Sequence, residues 1–296
     1  MKLIIENTIE QYKTSLLQEE KADFYCYHMM KPFETMWQTM GVPLKAKDKG
    51  GYDVLMATGM MGYLNINQTT QVSEGIEKLE EIDALKTAEK TLTECLAVMD
   101  KHKLKINVDE LYFGMYLADP AVLSSQNNYC GFGGIPGFIH TTILPNDYNT
   151  PRLPSLIAHE FHHNIRMSYF DWKYGDITVG DYIVIEGLAE SFAKEMYGEE
   201  WIGSWATLEE DDLECSIEVF KDALDIKGFA EVSSYLYGDT FAKEKGYSPV
   251  GLSDCASYAV GYKAVQEYMK IHDISIFEAT LLEEKEILTG CGLFKK

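Results

Sequence analysis

The sequence predicts an α+β fold, and three observations carry that reading. Helical apolar spacing fills most of the first hundred residues, short aromatic and β-branched runs with glycines occupy 111–143, and helical patterning resumes after Pro154. No internal repeat or low-complexity linker interrupts the chain, so the order is helices, a small sheet, then helices.

Each element has its own justification. Over residues 1–45, Ile9, Leu16, Leu17, Phe24, Met29, Phe33 and Trp37 fall mostly at steps that suit one helix face, until Gly41-Val42-Pro43 stops the pattern. The stretch from Lys49 to Gly62 is rich in glycine and methionine and gives no clear element. A second long helix is expected over 74–103, apolar at Ile76, Leu79, Ile82, Leu85, Leu92, Leu96 and Met99. The run Leu111 to Leu117 has strand length and is closed by Asp119-Pro120. Between Tyr129 and Ile143 the second half has β character, the glycines suggest bulges or a bare backbone open to close approach, and Pro136 fits an edge strand. The expected division is a helical region over 1–104, which carries no chemical motif, and a second region over 105–296.

Composition is that of a globular protein, 46% hydrophobic and 25% charged. The 26 basic against 47 acidic residues give a formal charge of −21. Such a surface repels phosphate backbones and anionic lipid headgroups, so neither nucleic acid nor membrane is an expected partner; the charge is read as solubility. The start meets Glu6 and Asn7 before any signal-peptide core forms, and no stretch approaches the ~18 apolar residues of a membrane span. Six cysteines lie far apart without a C-x-x-C pair, which points to reduced, mostly buried thiols and a cytoplasmic address.

The chemistry is concentrated in Leu156-Ile157-Ala158-His159-Glu160-Phe161-His162-His163-Asn164, which contains H-E-x-x-H. Residues four apart share one helix face, about 5–6 Å between Cβ atoms, so both imidazoles reach one ion at roughly 2.0–2.1 Å. Glu160 is rotated about 100° from His159 and holds a carboxylate beside the metal's solvent ligand without being a ligand itself. Three of the seven histidines fall within 159–163 and a helix is expected after Pro154, a context that coincidence does not supply. His162 lies on a different face and is not expected to bind the same ion.

Two histidines hold zinc weakly, so a third protein ligand is expected, with one position left for water. The extended pattern H-E-x-x-H-x-x-G-x-x-H needs Gly at 166 and His at 169, where this chain has Arg166 and Tyr169. The remaining common solution is a glutamate on a following helix. In Ile183 to Ala193, Glu186 is an acid within an apolar helix and is the favoured ligand. Glu190, one turn later, is the alternative ligand, or else the acceptor for the outer ring N–H of a ligating histidine. Both also read as two solvated acids on an amphipathic helix.

At these residues the sequence resembles the gluzincins, the zinc peptidases that include thermolysin and the leukotriene-hydrolase-type aminopeptidases. Glu186-Gly187-Leu188-Ala189 is similar to the aminopeptidases' N-E-G-F-A run, with Ile185 where they carry Asn, and Glu190 matches the offset of thermolysin's histidine-supporting acid. His159 to Arg166 together with Glu186 to Glu190 is similar to the bacterial YjaZ-like family of predicted zinc-dependent proteases. The resemblance implies a zincin-like core, a small mixed sheet plus the H-E-x-x-H helix with mostly helical flanks. It implies one Zn2+ per chain on His159, His163 and Glu186, with Glu160 as general base. Gluzincins commonly supply an oxyanion donor from the C-terminal lobe. Of Tyr258 and Tyr262, Tyr262 is preferred, although both also fit as packed tyrosines.

The expected substrate is a peptide or protein. Gly133 to Thr142 is either the sheet edge along which it lies or a structural hairpin, and His140 is a cleft residue or, more simply, a structural histidine. Arg166 is a partner for Glu190 or another cleft acid or, more simply, half of a surface ion pair, and the acid run from Glu209 to Asp212, lacking calcium-loop spacing, reads as a solvated helix start. A second reading keeps the zinc fold in a chaperone-like or peptide-binding protein with little hydrolysis; a third is hydrolysis of non-peptide amides or esters.

Overall fold

The computed structural model describes residues 1–48, 50–172 and 176–295. Lys49, the first residue of the glycine- and methionine-rich stretch, lies outside them. The chain divides into two compact units, Met1–Met99 with Ile106–Asn164, and Asp100–Lys105 with Ile165–Lys296. The fold is α+β, mostly helical, with a four-stranded mixed sheet in the first unit.

That sheet has the order β1-β2-β4-β3, from β1 (Lys2–Ile5), β2 (Glu110–Leu117), β3 (Tyr129–Ile135) and β4 (Phe138–Ile143). Strands β1, β2 and β4 run parallel, and β3 pairs antiparallel with β4 at one edge. The expected β2 and β4 are present, Pro136 falls in the turn beside the edge strand, and a register shift between Phe132 and Ile135 marks the bulge that the glycines suggested. The first residues differ from the expected helix. Leu3-Ile4-Ile5 is an aliphatic run with two β-branched residues whose partner, Leu111 to Phe113, lies far along the chain, and pairing with it sets the state of so short a segment.

The remaining N-terminal periodicity resolves into short pieces: α1 (Thr8–Leu16), α2 (Lys21–Phe24), a π-turn at Tyr25–Met29 and α3 (Glu34–Thr39). Met29, Phe33 and Trp37 are fully buried, whereas Leu17, at the end of α1, is 84% exposed. The glycine- and methionine-rich stretch holds α4 (Val54–Met60), started by Asp53, whose carboxylate accepts from the Leu55 and Met56 amides. The expected second helix is two, α5 (Thr69–Glu81) and α6 (Ala84–Lys101), parted at Asp83 in the left-handed region (φ 48°). Asp119 caps the one-turn α7 (Pro120–Leu123), with proline at its tolerated first position. Two layers cover the sheet. Phe33 lies against Gly114 on one face, and α8 (Leu153–Tyr169) begins against the other, at Gly131 and Gly133.

The second unit is built around α9 (Val179–Tyr197), opened by a Thr178–Asp181 capping box. Most of its residues from Ile183 to Ala193 are buried, as expected of a helix apolar on nearly all sides. Packed about it are α11 (Phe229–Lys245), α12 (Ala256–His272), α13 (Ile276–Ala279) and α14 (Glu284–Gly290), with α10 (Glu210–Lys221) against α12. The acid run is the first turn of α10, where the helix dipole favours it. All six cysteines are unpaired; Cys26, Cys95 and Cys291 are buried, Cys130 and Cys255 half-buried, Cys215 exposed. Among the described residues no helix is long and apolar enough to cross a membrane.

Candidate metal centre

His159, Glu160 and His163 lie together on α8, all at least nine-tenths buried. The helical step brings the two Nε2 atoms to 3.1 Å, with the rings nearly perpendicular at 86°. Two nitrogens bonded to one tetrahedral ion at 2.0–2.1 Å lie about 3.3 Å apart. The pair is therefore spaced as co-ligands require, and the donor set fits zinc.

Two glycines hold this turn against the sheet. A Cβ at Gly133 would overlap the Glu160 backbone carbonyl, and one at Gly131 would overlap the Glu160 carboxylate. Only a bare backbone lets β3 approach so closely. Asn164, next after His163 and fully buried, clamps the hairpin from the helix side. Its Nδ2 donates to the carbonyls of Gly133 (2.7 Å) and Phe138 (3.1 Å), and its Oδ1 accepts from the Gly137 amide (2.7 Å). The sequence names Asn164 only as part of the motif; a buried amide straight after a metal ligand was the available signal. Burial pushes the Cys130 thiol up to about 12, and the nearby Glu160 charge adds to the effect.

His140 is a core residue rather than a cleft one. It is fully buried among Phe33, Trp37 and Tyr116, with Nδ1 2.9 Å from the Tyr63 hydroxyl. Burial lowers its pKa to about 3, so it is neutral.

In the second unit, Glu186 is half-buried on α9. Its neighbour Gly187 meets Gly261 of α12 so closely that a Cβ at either would overlap the other helix's backbone, at Gly261 or at Ile183. That crossing fixes the turn carrying Glu186, and neither glycine was singled out from sequence for this purpose. Glu190 is buried, its carboxylate accepting from the Gly203 amide (2.6 Å) and the Trp205 indole (3.1 Å). Tyr262 is half-buried, its hydroxyl 3.5 Å from Glu199 Oε1 and its ring facing the Lys194 ammonium at 5.7 Å; burial raises its pKa.

Arg166 departs from its expected place. It is buried rather than on the surface, donating to the Thr280 carbonyl and to Glu284 Oε1, both at 2.6 Å, over the face of Phe170. It joins the end of α8 to the segment from α13 to α14, which nothing in the local sequence announces.

The comparisons with known proteins agree with this chemistry. The chain is 50% identical over 297 residues, 99% of each protein, to the uncharacterized protein YjfC of Bacillus subtilis (strain 168). It is 30% identical over 129 residues, 43% of this chain and 46% of the relative, to the uncharacterized protein YjaZ of the same organism. No solved structure matches it. A family model matches residues 84–289, a span that contains His159, Glu160, His163 and Glu186, and the chain belongs to the family that this model describes, "Predicted Zn-dependent protease (DUF2268)".

Proposed function

We propose that the protein is a zinc-dependent peptidase with a zincin-like core, its metal held by His159, His163 and Glu186 and its general base Glu160. The observation that carries the reading is the 3.1 Å separation of the two imidazole nitrogens, one turn apart, with Glu160 on the same turn of helix. Two imidazoles and one carboxylate are a donor set that zinc takes with one position open. When bound, zinc supplies Lewis acidity and lowers the pKa of its water toward ~7.

The chain's own residues do the rest. An Oε of Glu160 accepts the proton of the attacking water and then delivers it to the leaving amine. The close approach of β3 at Gly131 restricts the Glu160 carboxylate. The outer side of β3, at the sheet edge, offers main-chain groups to an extended peptide. Tyr262 is the donor proposed for the oxyanion; Tyr262→Phe is expected to lower kcat by about 10²–10³ with KM little changed.

The decisive experiment pairs metal analysis with a peptide-library cleavage assay. The purified protein is expected to carry one zinc per chain and to cleave peptides. Glu160→Gln is expected to keep the metal and lower turnover by at least ~10². A metal-free protein indifferent to chelators, or turnover that survives the substitution, overturns the assignment. Zinc and peptide binding without cleavage would favour a chaperone-like protein instead.

A further inference from the structure

In a chain with 25% charged residues and a net charge of −21, residues 54–73 and 120–146 contain no Asp, Glu, Lys or Arg. Both stretches belong to the first unit, and the fold brings them together beside the edge strand. Tyr63 bridges to Ala118, the Leu64 amide donates to the Leu117 carbonyl, and the Asp119 amide donates to Gly62. Gly62 lies against Leu123, and the Cys130 thiol contacts the Met61 carbonyl at 3.8 Å. The end of α4 therefore borders the start of β3 at Cys130, on the sheet face opposite that on which Gly131 meets Glu160, so side chains of a peptide on β3 that point to the two faces alternate between them.

The outward face of α4 there is apolar. Val54, Ala57 and Thr58 are buried, while Met56 and Met60, one turn apart, are 44% and 68% exposed. Val122 on α7 is also exposed.

We propose that Met56 and Met60 form a specificity surface for large apolar side chains of an extended peptide seated on β3. The substrate class is then unfolded or loosely folded polypeptide rich in aliphatic and aromatic residues. The inference rests on the peptidase reading for the position of the scissile bond. Three arguments select this occupant. An uncharged border has no ion pairs to offer, so recognition there is by apolar area. Methionine is flexible and polarizable and accommodates many shapes, which suits an enzyme reading apolar character rather than one sequence. An edge strand bordered by apolar surface invites strand pairing, and a transient peptide satisfies it.

The test uses the zinc-loaded full chain carrying Glu160→Gln, so that peptides are bound without being consumed. Two fluorescein-labelled unstructured peptides are titrated by anisotropy, one carrying Leu and Phe, the other with Ser and Asn in their place. The apolar peptide is expected to bind at least tenfold more tightly, and adding M56Q/M60Q to lower that preference about tenfold. Adding M56L/M60L instead is expected to retain it. Both methionines are exposed, so the melting temperature is expected to be unchanged. Equal binding of the two peptides, absence of binding, or a preference indifferent to M56Q/M60Q overturns the proposal. So does a sedimentation mass of a dimer that M56Q/M60Q returns to monomer, since the face would then belong to a second copy. Wild-type cleavage is scored separately: binding preference without cleavage removes the peptidase reading and leaves the surface standing.

Discussion

Glu160 is held between two constraints that act on different atoms, and substitutions separate them. A methyl group at Gly133 meets the Glu160 backbone, so helix or strand must shift; Gly133→Ala is expected to destabilise by about 1–3 kcal/mol, read by urea denaturation. At Gly131 the methyl group meets only the side chain, which can rotate aside. Gly131→Ala is therefore expected to lower kcat while leaving stability nearer wild type, with zinc content unchanged. His140 gives a pH signature of its own. Its folded pKa of about 3 lies below the ordinary 6.5, so the unfolded chain takes up a proton that the folded chain refuses. Its contribution is complete above pH 6.5 and is lost as pH falls toward 3. Between pH 6.5 and about 3, unfolding free energy is expected to drop by up to about 1.4 kcal/mol per pH unit from this residue, and His140→Phe to flatten that part of the slope.

Among the elements, α8 and α9 hold the proposed site residues, and each is fixed by contacts remote in sequence. The last turns of α8 are tied through Arg166 to Thr280 and Glu284. Arg166→Met leaves the Glu284 carboxylate, which is largely buried, without its cation, and a loss of about 3–5 kcal/mol is expected, read as a fall in the denaturant midpoint. At the crossing of α9 and α12, Gly187→Ala would drive a methyl group into the Gly261 backbone and part the helices. Both a lower melting temperature and weaker zinc affinity are expected, because the displaced turn carries Glu186. Zinc affinity unchanged in a destabilised Gly187→Ala would count against Glu186 as ligand.

For the whole molecule, the proposed zinc site would link metal binding to folding: a ligand that binds only the folded state stabilises by about 4 kcal/mol at a thousandfold excess over its Kd. Chelation is thus expected to lower the melting temperature, and zinc to restore it. The α+β plan was legible in the sequence because the period of apolar residues changes visibly near residues 105 and 154. That His159, Glu160 and His163 share one turn of helix was legible because spacing on a helix is a local property; the caps that start α4, α7 and α9 are local too, but were not read from the sequence. What the sequence could not decide is everything that depends on a distant partner. Leu3-Ile4-Ile5 becomes a strand through pairing with residues 111–113. Arg166 and His140 are buried because remote segments cover them. Gly131 and Gly133 read in sequence as bulges or a bare backbone open to close approach, but which element approaches them, and the crossing at Gly187 and Gly261, emerge only where two backbones meet. Local spacing determined which side chains can reach one ion, since a helical turn fixes that distance by itself. Tertiary packing decided how tightly that turn is held, since close approach of two elements is a property of neither alone.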